Sequence, residues 1–364
     1  MVSSGSWRAA PTAFANSQYR DLSKGPAPVL HRSLRFWASL AISIVLIALF
    51  LRATDPGELA DALKQAEYWW LIPALGVLLV SIGFRCARWA VLMRPVKKMT
   101  PLQIFPYAII GYMANNLLPA RAGEVVRAYV TGDREKVSKL SVFGTIAVER
   151  LFDGCMLVVM LLVAGSVVGF EDAKLKVIAA VGTALFIAAL VGFYVLTIDE
   201  ERGKRVIHRL LRVLPDRFEH KADEMADALV GSLRSVHEWR SLGIVIVFSA
   251  LAWVIEASAY AVVGQGFNLG VGFGEYCLLL AAANLAIIIP TFFGGTGPFE
   301  WAVRIVLVGA GVNQASAGAF AVVSHAFILI PTTILGLIFL WTFGISFGRI
   351  THAKVGDEPE VAPL

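Results

Sequence analysis

The chain has 364 residues, of which 57% are hydrophobic and only 16% charged, whereas a soluble domain is about 45–50% apolar and about 25% charged. This composition excludes an ordinary soluble protein and predicts an all-α integral membrane protein. The net charge of +5 is too small to indicate a nucleic-acid partner, and the three cysteines, which all lie in apolar stretches, favour neither a disulfide framework nor a cysteine metal site.

The N-terminal residues 1–35 predict a disordered cytoplasmic tail. They are rich in Ser, Pro and Ala, and their five basic residues are accompanied by one acidic residue, Asp21. The first membrane span is predicted at 36–51, with the sequence FWASLAISIVLIALFL. No good signal-peptidase site follows it, so this span is expected to remain uncleaved.

The second span is predicted at 69–93, where a Trp pair at the membrane interface opens the apolar run. The preceding linker, 52–68, carries four acidic and two basic residues, which indicates that it lies outside the cytoplasm. Near the other end of the span, Arg85 and Arg88 are expected to extend their guanidinium groups to the cytoplasmic interface.

The segment 102–131 predicts a re-entrant hairpin. Residues 102–120 are apolar and long enough to cross the membrane, but the flanking segments 94–100 and 121–139 are both rich in Lys and Arg. Because basic loops favour the cytoplasm, the chain is expected to enter, turn near Asn116, and return to the same side. An ordinary third span followed by a basic outer loop remains the alternative.

Two further spans, 140–169 and 177–198, then lead out of the cytoplasm and back. Residues 199–240 form a cytoplasmic insert with nine basic and nine acidic residues. Apolar residues recur within it at spacings of three and four, which predicts an amphipathic helix lying on the bilayer or against the bundle.

A second hairpin, opening outward, is predicted at 276–313. The span 241–263 leaves the cytoplasm, and the final span 316–344 returns to a cytoplasmic tail at 346–364. The intervening apolar run is broken by TFFGGTGP, which is too rich in Gly to cross as a helix. The membrane domain 36–345 is therefore expected to contain about six full spans and two hairpins, with both termini in the cytoplasm.

The two hairpins with their flanking spans form a predicted inverted repeat. Residues 116–124 and 284–300 share the order Asn-Leu, Pro, Gly, Glu, and the polar residues Arg88 and Glu256 each precede the Asn by 28 positions. Inverted repeats with broken helices are typical of transporters and place a binding site near the membrane midplane. A chance match of common residue types remains the alternative.

The second hairpin contains a candidate anion site. Gly295, Gly297 and Pro298 predict a half-helix beginning at Phe299, whose backbone amides and positive dipole end would face a phosphate. The competing interpretation is a purely structural kink.

Charged residues within apolar segments are the other candidates, because they are costly there unless paired. Arg150 is expected to pair with Glu124 or Glu300 or to hold a phosphate, the alternative being a static ion pair that locks helices. Glu256 must find a cation or be protonated. Glu300 and Arg304, four residues apart, predict an intrahelical pair. His325 is expected to be a hydrogen-bonded packing residue.

Three segments together resemble the flippase-like family named for the transmembrane region of lysylphosphatidylglycerol synthase. They are NNLLPARAGEVVRAYVTG, GTIAVERLFDG and NLAIIIPTFFGGTGPFEWAV, and the resemblance covers about 36–345. It implies a polytopic bundle with re-entrant elements that moves a polar lipid between leaflets. Lysyl transfer is not expected, since the chain ends at Leu364 without the synthase's aminoacyl-transferring domain. The family's motif residues fall on Asn116, Pro119, Arg121, Gly123, Glu124, Arg127, Glu149, Arg150, Asp153, Pro290, Gly294, Gly295, Gly297, Pro298 and Glu300.

The predicted function is that of a lipid flippase or translocase in the cytoplasmic membrane, acting on an anionic phospholipid, a modified lipid or an isoprenoid-type lipid. No catalytic motif is found, but a membrane-embedded transferase or an accessory subunit of lipid or glycan biosynthesis remains the alternative. No cofactor or metal is expected. The expected partners are the lipid and either a second copy of the chain or a lipid-biosynthesis enzyme. The predicted substrate-binding residues are Asn116, Arg121, Glu124, Arg127, Glu149, Arg150, Asp153, Glu256, Asn284, Gly295, Gly297 and Glu300.

Overall fold

The computed structural model describes residues 55–118, 122–169, 238–287 and 294–351, together with the isolated positions 45, 180, 183, 184 and 188. Apart from these isolated positions and residues 238–240, the predicted spans 36–51 and 177–198, the insert 199–240 and the N-terminal tail lie outside the described residues, as does the C-terminal tail after residue 351.

The described ranges form ten α-helices and one short 3-10 helix, with no strand among them. In chain order the helices are α1 Pro56–Gln65, the 3-10 helix Tyr68–Trp70, α2 Leu71–Leu92, α3 Pro101–Leu117, α4 Gly123–Glu135, α5 Lys139–Val168, α6 Trp239–Gln265, α7 Phe273–Ala286, α8 Pro298–Gly309, α9 Gln314–Thr342 and α10 Phe347–Thr351.

Four of these helices are long and apolar enough to cross a bilayer. They are α2 with its preceding turn, α5, α6 and α9, and they extend over 25 to 30 residues, whereas about 20 residues suffice to span the hydrocarbon core. They coincide with the predicted spans 69–93, 140–169, 241–263 and 316–344. The chain is therefore a multi-pass membrane protein built from α-helices.

Helices α3 and α4 form an antiparallel hairpin. At its closed end, the side chain of Asn115 accepts a hydrogen bond from the amide of Gly123, with 2.8 Å between the two atoms. A Cβ atom at Gly123 would collide with the carbonyl oxygen of Gly111, so glycine permits this close approach of the two helices. The chain thus doubles back as predicted for 102–131, while its re-entry into the bilayer stays a prediction.

The open end of this hairpin is held together by Glu135. Its carboxylate accepts hydrogen bonds from Lys97, at 2.7 Å, and from the hydroxyl of Tyr107, at 2.5 Å. Burial raises the pKa of Glu135, but these hydrogen bonds and the charge of Lys97 lower it more, so the pKa lies below its ordinary value. The carboxylate is therefore ionised at neutral pH and ties the beginning of α3 to the end of α4.

Helices α7 and α8 form the second hairpin, and each is too short to span a bilayer. They contain 14 and 12 residues. Helix α8 begins at Pro298, one residue before the predicted start, because a proline in the first turn has no amide that needs a partner. The approach to it contains Gly295 at φ +98° and Gly297 at φ +104°, a region that favours glycine.

The helices of the two halves pack in the same pattern. The first long helix of one half, α2, packs against its counterpart α6. The first arm of each hairpin packs against the last long helix of the other half, so α3 contacts α9 and α7 contacts α5. The two units therefore interlock in the way that a repeat would produce, and their opposite orientation in the membrane stays a prediction.

Candidate functional site

A cavity of about 170 Å³ lies where the closed ends of the two hairpins meet the four long helices. Helices α2, α3, α5, α6, α7, α8 and α9 all contribute to its wall. The charged and amide side chains that line it are those of Arg85, Asn115, Asn116, Arg150, Glu256, Asn284 and His325.

A network of four arginines and three carboxylates lies beside this cavity. Its members come from α2, α4, α5 and α6, and they are Arg85, Arg88, Arg127, Arg150, Glu149, Asp153 and Glu256. Within the described residues this set has one positive charge in excess. Such charged groups are costly in an apolar bundle unless they are paired, and here they compensate one another.

The inner part of the network is fully buried. Arg127 holds both carboxylate oxygens of Glu149, at 2.8 and 3.2 Å, in the fork geometry that suits a guanidinium. Arg88 binds Asp153 at 2.7 Å and also donates to the hydroxyl of Ser249 at 2.9 Å. The first pair joins α4 to α5, and Arg88 joins α2 to α5 and α6. These contacts therefore hold the four helices together.

The outer part of the network faces the cavity. Arg85 contacts Glu256 at 2.6 Å. Arg150 contacts Glu149 at 3.1 Å and Asp153 at 3.4 Å, and 36% of its side chain is exposed, whereas Arg88 and Arg127 are almost inaccessible. Arg85 and Arg150 are therefore the two cations of the network that a bound molecule could reach.

Tryptophan rings cover two of the guanidinium groups. Arg127 lies 3.4 Å from the ring centroid of Trp89, and Arg85 lies 4.1 Å from that of Trp253. The indole nitrogen of Trp253 also donates to Asp153 at 3.2 Å. These contacts stabilise charge in a region away from water, because a cation is attracted to the face of an aromatic ring.

The prediction that Arg85 and Arg88 extend to the cytoplasmic interface is wrong. Both are buried, because α5 and α6 pack against α2 and present Asp153 and Glu256 to the arginine face. The sequence does contain a signal for this pairing. The apolar segment of α2 carries two arginines, and the apolar segments of α5 and α6 carry acidic residues that need a cation.

The expected partners of Arg150 are also wrong. It pairs with Glu149 and Asp153 of its own helix rather than with Glu124 or Glu300. Glu124 instead accepts from the amide nitrogen of Asn115 at 3.2 Å, beside the closed end of the first hairpin. The expectation that Glu256 finds a cation is confirmed by its contact with Arg85.

Glu300 does not form the predicted pair with Arg304. One of its oxygens lies 2.6 Å from Nδ1 of His325, and the other accepts from the amide of Gly297 at 2.7 Å. Arg304 instead donates to the side chain of Gln314. His325 is hydrogen-bonded as expected, and its ring also stacks on Phe299, with 4.2 Å between the ring centroids.

The predicted phosphate cradle at Gly295 and Gly297 needs correction. The amide of Gly297 already donates to Glu300, so the start of α8 is capped by its own first turn. Of the glycines in this turn, Gly294 lines the cavity. The amide of Gly297 is therefore already occupied, and an anion site in this part of the molecule stays a prediction.

The remaining predicted residues lie at the ends of the hairpins. Asn116 donates to the hydroxyls of Thr332 and Thr333 on α9, and Asn284 donates to the carbonyl of Leu280. Both asparagines line the cavity, as their matching positions in the repeat predict. Arg121 lies outside the described residues.

Comparisons with known proteins give a consistent family assignment. Residues 36–336 match the family described as the lysylphosphatidylglycerol synthase TM region. Two UPF0104 membrane proteins of Methanothermobacter thermautotrophicus are similar to this chain, one at 25% identity over 325 residues and one at 27% over 319. Each alignment covers 84% of this chain, with 95% and 93% of the respective relative.

A third relative is the glycosyltransferase AglD of Haloferax volcanii. It is 26% identical over 329 residues, which cover 82% of this chain and 53% of that protein. The alignment thus spans about half the length of this relative. No solved structure matches the chain.

Proposed function

Since the chain belongs to the family of the lysylphosphatidylglycerol synthase transmembrane region, we propose that it moves a lipid between the leaflets of the cytoplasmic membrane. The lipid would be an anionic phospholipid, a modified lipid or an isoprenoid-type lipid. Of the predicted site residues, those that border the cavity, Arg150, Glu256, Asn116 and Asn284, would contact its headgroup.

The observation that carries this proposal is that Trp253 lines two neighbouring spaces of different chemistry. One is the cavity, in which charged groups such as Arg85 and Glu256 lie among apolar side chains. The other is a groove of about 340 Å³ between α5, α6 and α7, which is lined almost entirely by apolar side chains such as Met160 and Phe273. A lipid has the same two parts, so its headgroup fits the cavity and a hydrocarbon chain fits the groove.

The position of the cavity supports movement across the membrane. It lies between the closed ends of two helical hairpins that belong to the two similar halves of the fold. If the halves are inverted, one hairpin opens toward each side of the membrane, and the headgroup can exchange between them at the midplane. The hydrocarbon chain would stay in the apolar groove and the surrounding lipid.

The printed name of the Haloferax relative supports a role beside lipid or glycan biosynthesis. The same name favours the second candidate function, which is that of a membrane-embedded transferase or an accessory subunit of such an enzyme.

Reconstitution into liposomes separates these two functions. We expect purified protein to accelerate the exchange of fluorescent phosphatidylglycerol or a polyprenyl phosphate between leaflets, measured by quenching with dithionite, while mass spectrometry finds the lipid unchanged. A change in lipid mass would identify a transferase. Failure of the folded protein to move any lipid of the panel would contradict the proposal.

A substitution of Trp253 tests whether its position beside both spaces matters for transport. Trp253→Ala removes the side chain that lines both spaces and should reduce the exchange rate per folded molecule, whereas Trp239→Ala, at a residue that is 75% exposed, should not. Equal exchange rates for the two variants would show that the boundary between the two spaces has no role in transport.

A further inference from the structure

Two tyrosine hydroxyls at the cavity have no hydrogen-bond partner among the described residues. They belong to Tyr112 of α3 and Tyr260 of α6, both of which line the cavity. Both oxygen atoms are inaccessible to solvent, and Tyr260 as a whole is only 1% exposed. Buried tyrosine hydroxyls ordinarily find a partner, and these two find none among the described residues.

The packing of Tyr260 does not account for its hydroxyl. Its ring lies against the rings of Phe299 and Phe320, with centroids 6.4 and 6.5 Å away. A phenylalanine ring could make the same contacts without burying an unpaired polar group, which is unfavourable. The described residues therefore give the Tyr260 hydroxyl no role, and a molecule bound in the cavity would supply one.

The charges at the cavity indicate the chemistry of that molecule. Arg85 and Arg150 line the same cavity as the two tyrosines, together with Glu256, which contacts Arg85 at 2.6 Å. The adjoining ion-pair network has one more arginine than it has carboxylates among the described residues. Two hydroxyl donors and two guanidinium groups need a small anion with several oxygen acceptors, and a phosphate has more of these than a carboxylate.

We infer that the cavity binds a phosphate group, with the hydroxyls of Tyr112 and Tyr260 and the guanidinium groups of Arg85 and Arg150 as its donors. The inference deepens the proposed function and rests on it for the source of the phosphate, which would be a lipid headgroup. The phosphate site itself can be measured at equilibrium, without any assay of transport.

The test compares Tyr112→Phe, Tyr260→Phe and the double variant with the wild-type protein in detergent. The probes are dioctanoyl phosphatidic acid, inorganic phosphate and, as an uncharged lipid, dioctanoylglycerol. Each protein is measured for its melting temperature without a probe and for its Kd by titration calorimetry.

We expect opposite effects on stability and on binding. Without a probe, the Phe variants should melt at the same temperature as the wild type or higher, because they lose a buried unpaired hydroxyl. Binding of dioctanoyl phosphatidic acid should weaken about tenfold for each hydroxyl removed, as expected for a hydrogen bond to a charged group. Dioctanoylglycerol should not bind in the cavity of any of these proteins.

Tyr276→Phe is the matched control. Tyr276 is also a buried tyrosine, but it packs against Gly264 and lies outside the cavity, so its variant should bind phosphatidic acid as the wild type does. An unchanged Kd in the double variant would overturn the inference. So would a lower melting temperature of that variant without probe, because it would show that the hydroxyls have partners within the protein.

The two phosphate sources give different results. Tighter binding of dioctanoyl phosphatidic acid than of inorganic phosphate supports a lipid headgroup. Equal binding of both, with the same loss in the Phe variants, supports the phosphate site and contradicts the lipid transport proposed above.

Discussion

Glu149 is one of two buried carboxylates, with Asp153, that each contact three arginines of the charged network. Its carboxylate contacts Arg127 in a fork geometry and also lies near Arg88 and Arg150, at 3.3 and 3.1 Å. Its side chain is fully inaccessible to solvent. A buried carboxylate is tolerated because the guanidinium groups around it replace water. The buried arginines are tolerated in turn because the carboxylates compensate their charge.

Neutralising Glu149 should therefore destabilise the protein strongly. We expect Glu149→Gln to lower the free energy of unfolding by about 3–5 kcal/mol, because it leaves buried guanidinium groups without compensation. Thermal unfolding in detergent measures this change. Asp61→Asn is the control, since the exposed pair of Asp61 and Lys64 on α1 contributes little to stability. Equal melting temperatures for both variants would contradict the structural importance of Glu149.

Arg150 should behave differently, because it faces the cavity. We expect Arg150→Lys to fold with a nearly unchanged melting temperature, since the positive charge is kept near Glu149 and Asp153. Lipid exchange per folded molecule should fall about tenfold, because lysine cannot present the planar fork that binds a phosphate. Arg134→Lys, at the open end of the first hairpin, is the control. Wild-type exchange rates for Arg150→Lys would leave Arg150 with a purely structural role.

At the scale of the elements, the turn that precedes α8 is constrained more tightly than the helix itself. Gly295 has φ +98°, and a Cβ atom added to it would lie 2.7 Å from a side-chain carbon of Ile287 at the end of α7. The turn can therefore bring the closed end of the second hairpin to the cavity only with a residue that has no side chain.

Gly295→Ala should consequently lower the melting temperature, with a cost of about 1–3 kcal/mol for the backbone conformation alone. Gly309→Ala at the other end of α8 is the matched control, since no atom lies within 4 Å of a Cβ there. The melting temperatures of the two variants in detergent measure this difference. A Gly295→Ala protein as stable as the control would show that the turn adapts to a side chain.

At the scale of the whole molecule, both ends of the first hairpin lie on one face. Lys97, before α3, contacts Glu135 at the end of α4 at 2.7 Å. Both flanking segments are basic, so the positive-inside rule predicts that this face lies in the cytoplasm. The inverted repeat requires in addition that the second hairpin opens toward the opposite face.

Cysteine labelling tests the orientation. In a variant whose three native cysteines are replaced by alanine, Lys98→Cys and Arg134→Cys should both react with an impermeant maleimide only from the cytoplasmic side. Gln265→Cys, at the exposed end of α6, should react only from the outside. Labelling of both positions only from the outside would reverse this orientation, and labelling of the two positions from opposite sides would contradict the hairpin.

The amino-acid sequence by itself determined the helices and their grouping. The four long helices, the doubling back of 102–131 and the shared order of residues 116–124 and 284–300 follow from apolar run lengths, basic loops and turn residues. These are local properties, because a helix of given length and hydropathy crosses a bilayer whatever its neighbours are. Sequence also identified most of the charged residues of the site as costly and therefore in need of partners.

The partners themselves depended on the tertiary structure. Arg85 and Glu256 are 171 positions apart, and Arg88 and Asp153 are 65 apart, so their contact exists only because α2, α5 and α6 pack side by side. The same packing buries Arg88 and leaves the hydroxyls of Tyr112 and Tyr260 without a partner among the described residues. Burial and pairing are properties of several helices together, and no single segment of sequence contains them.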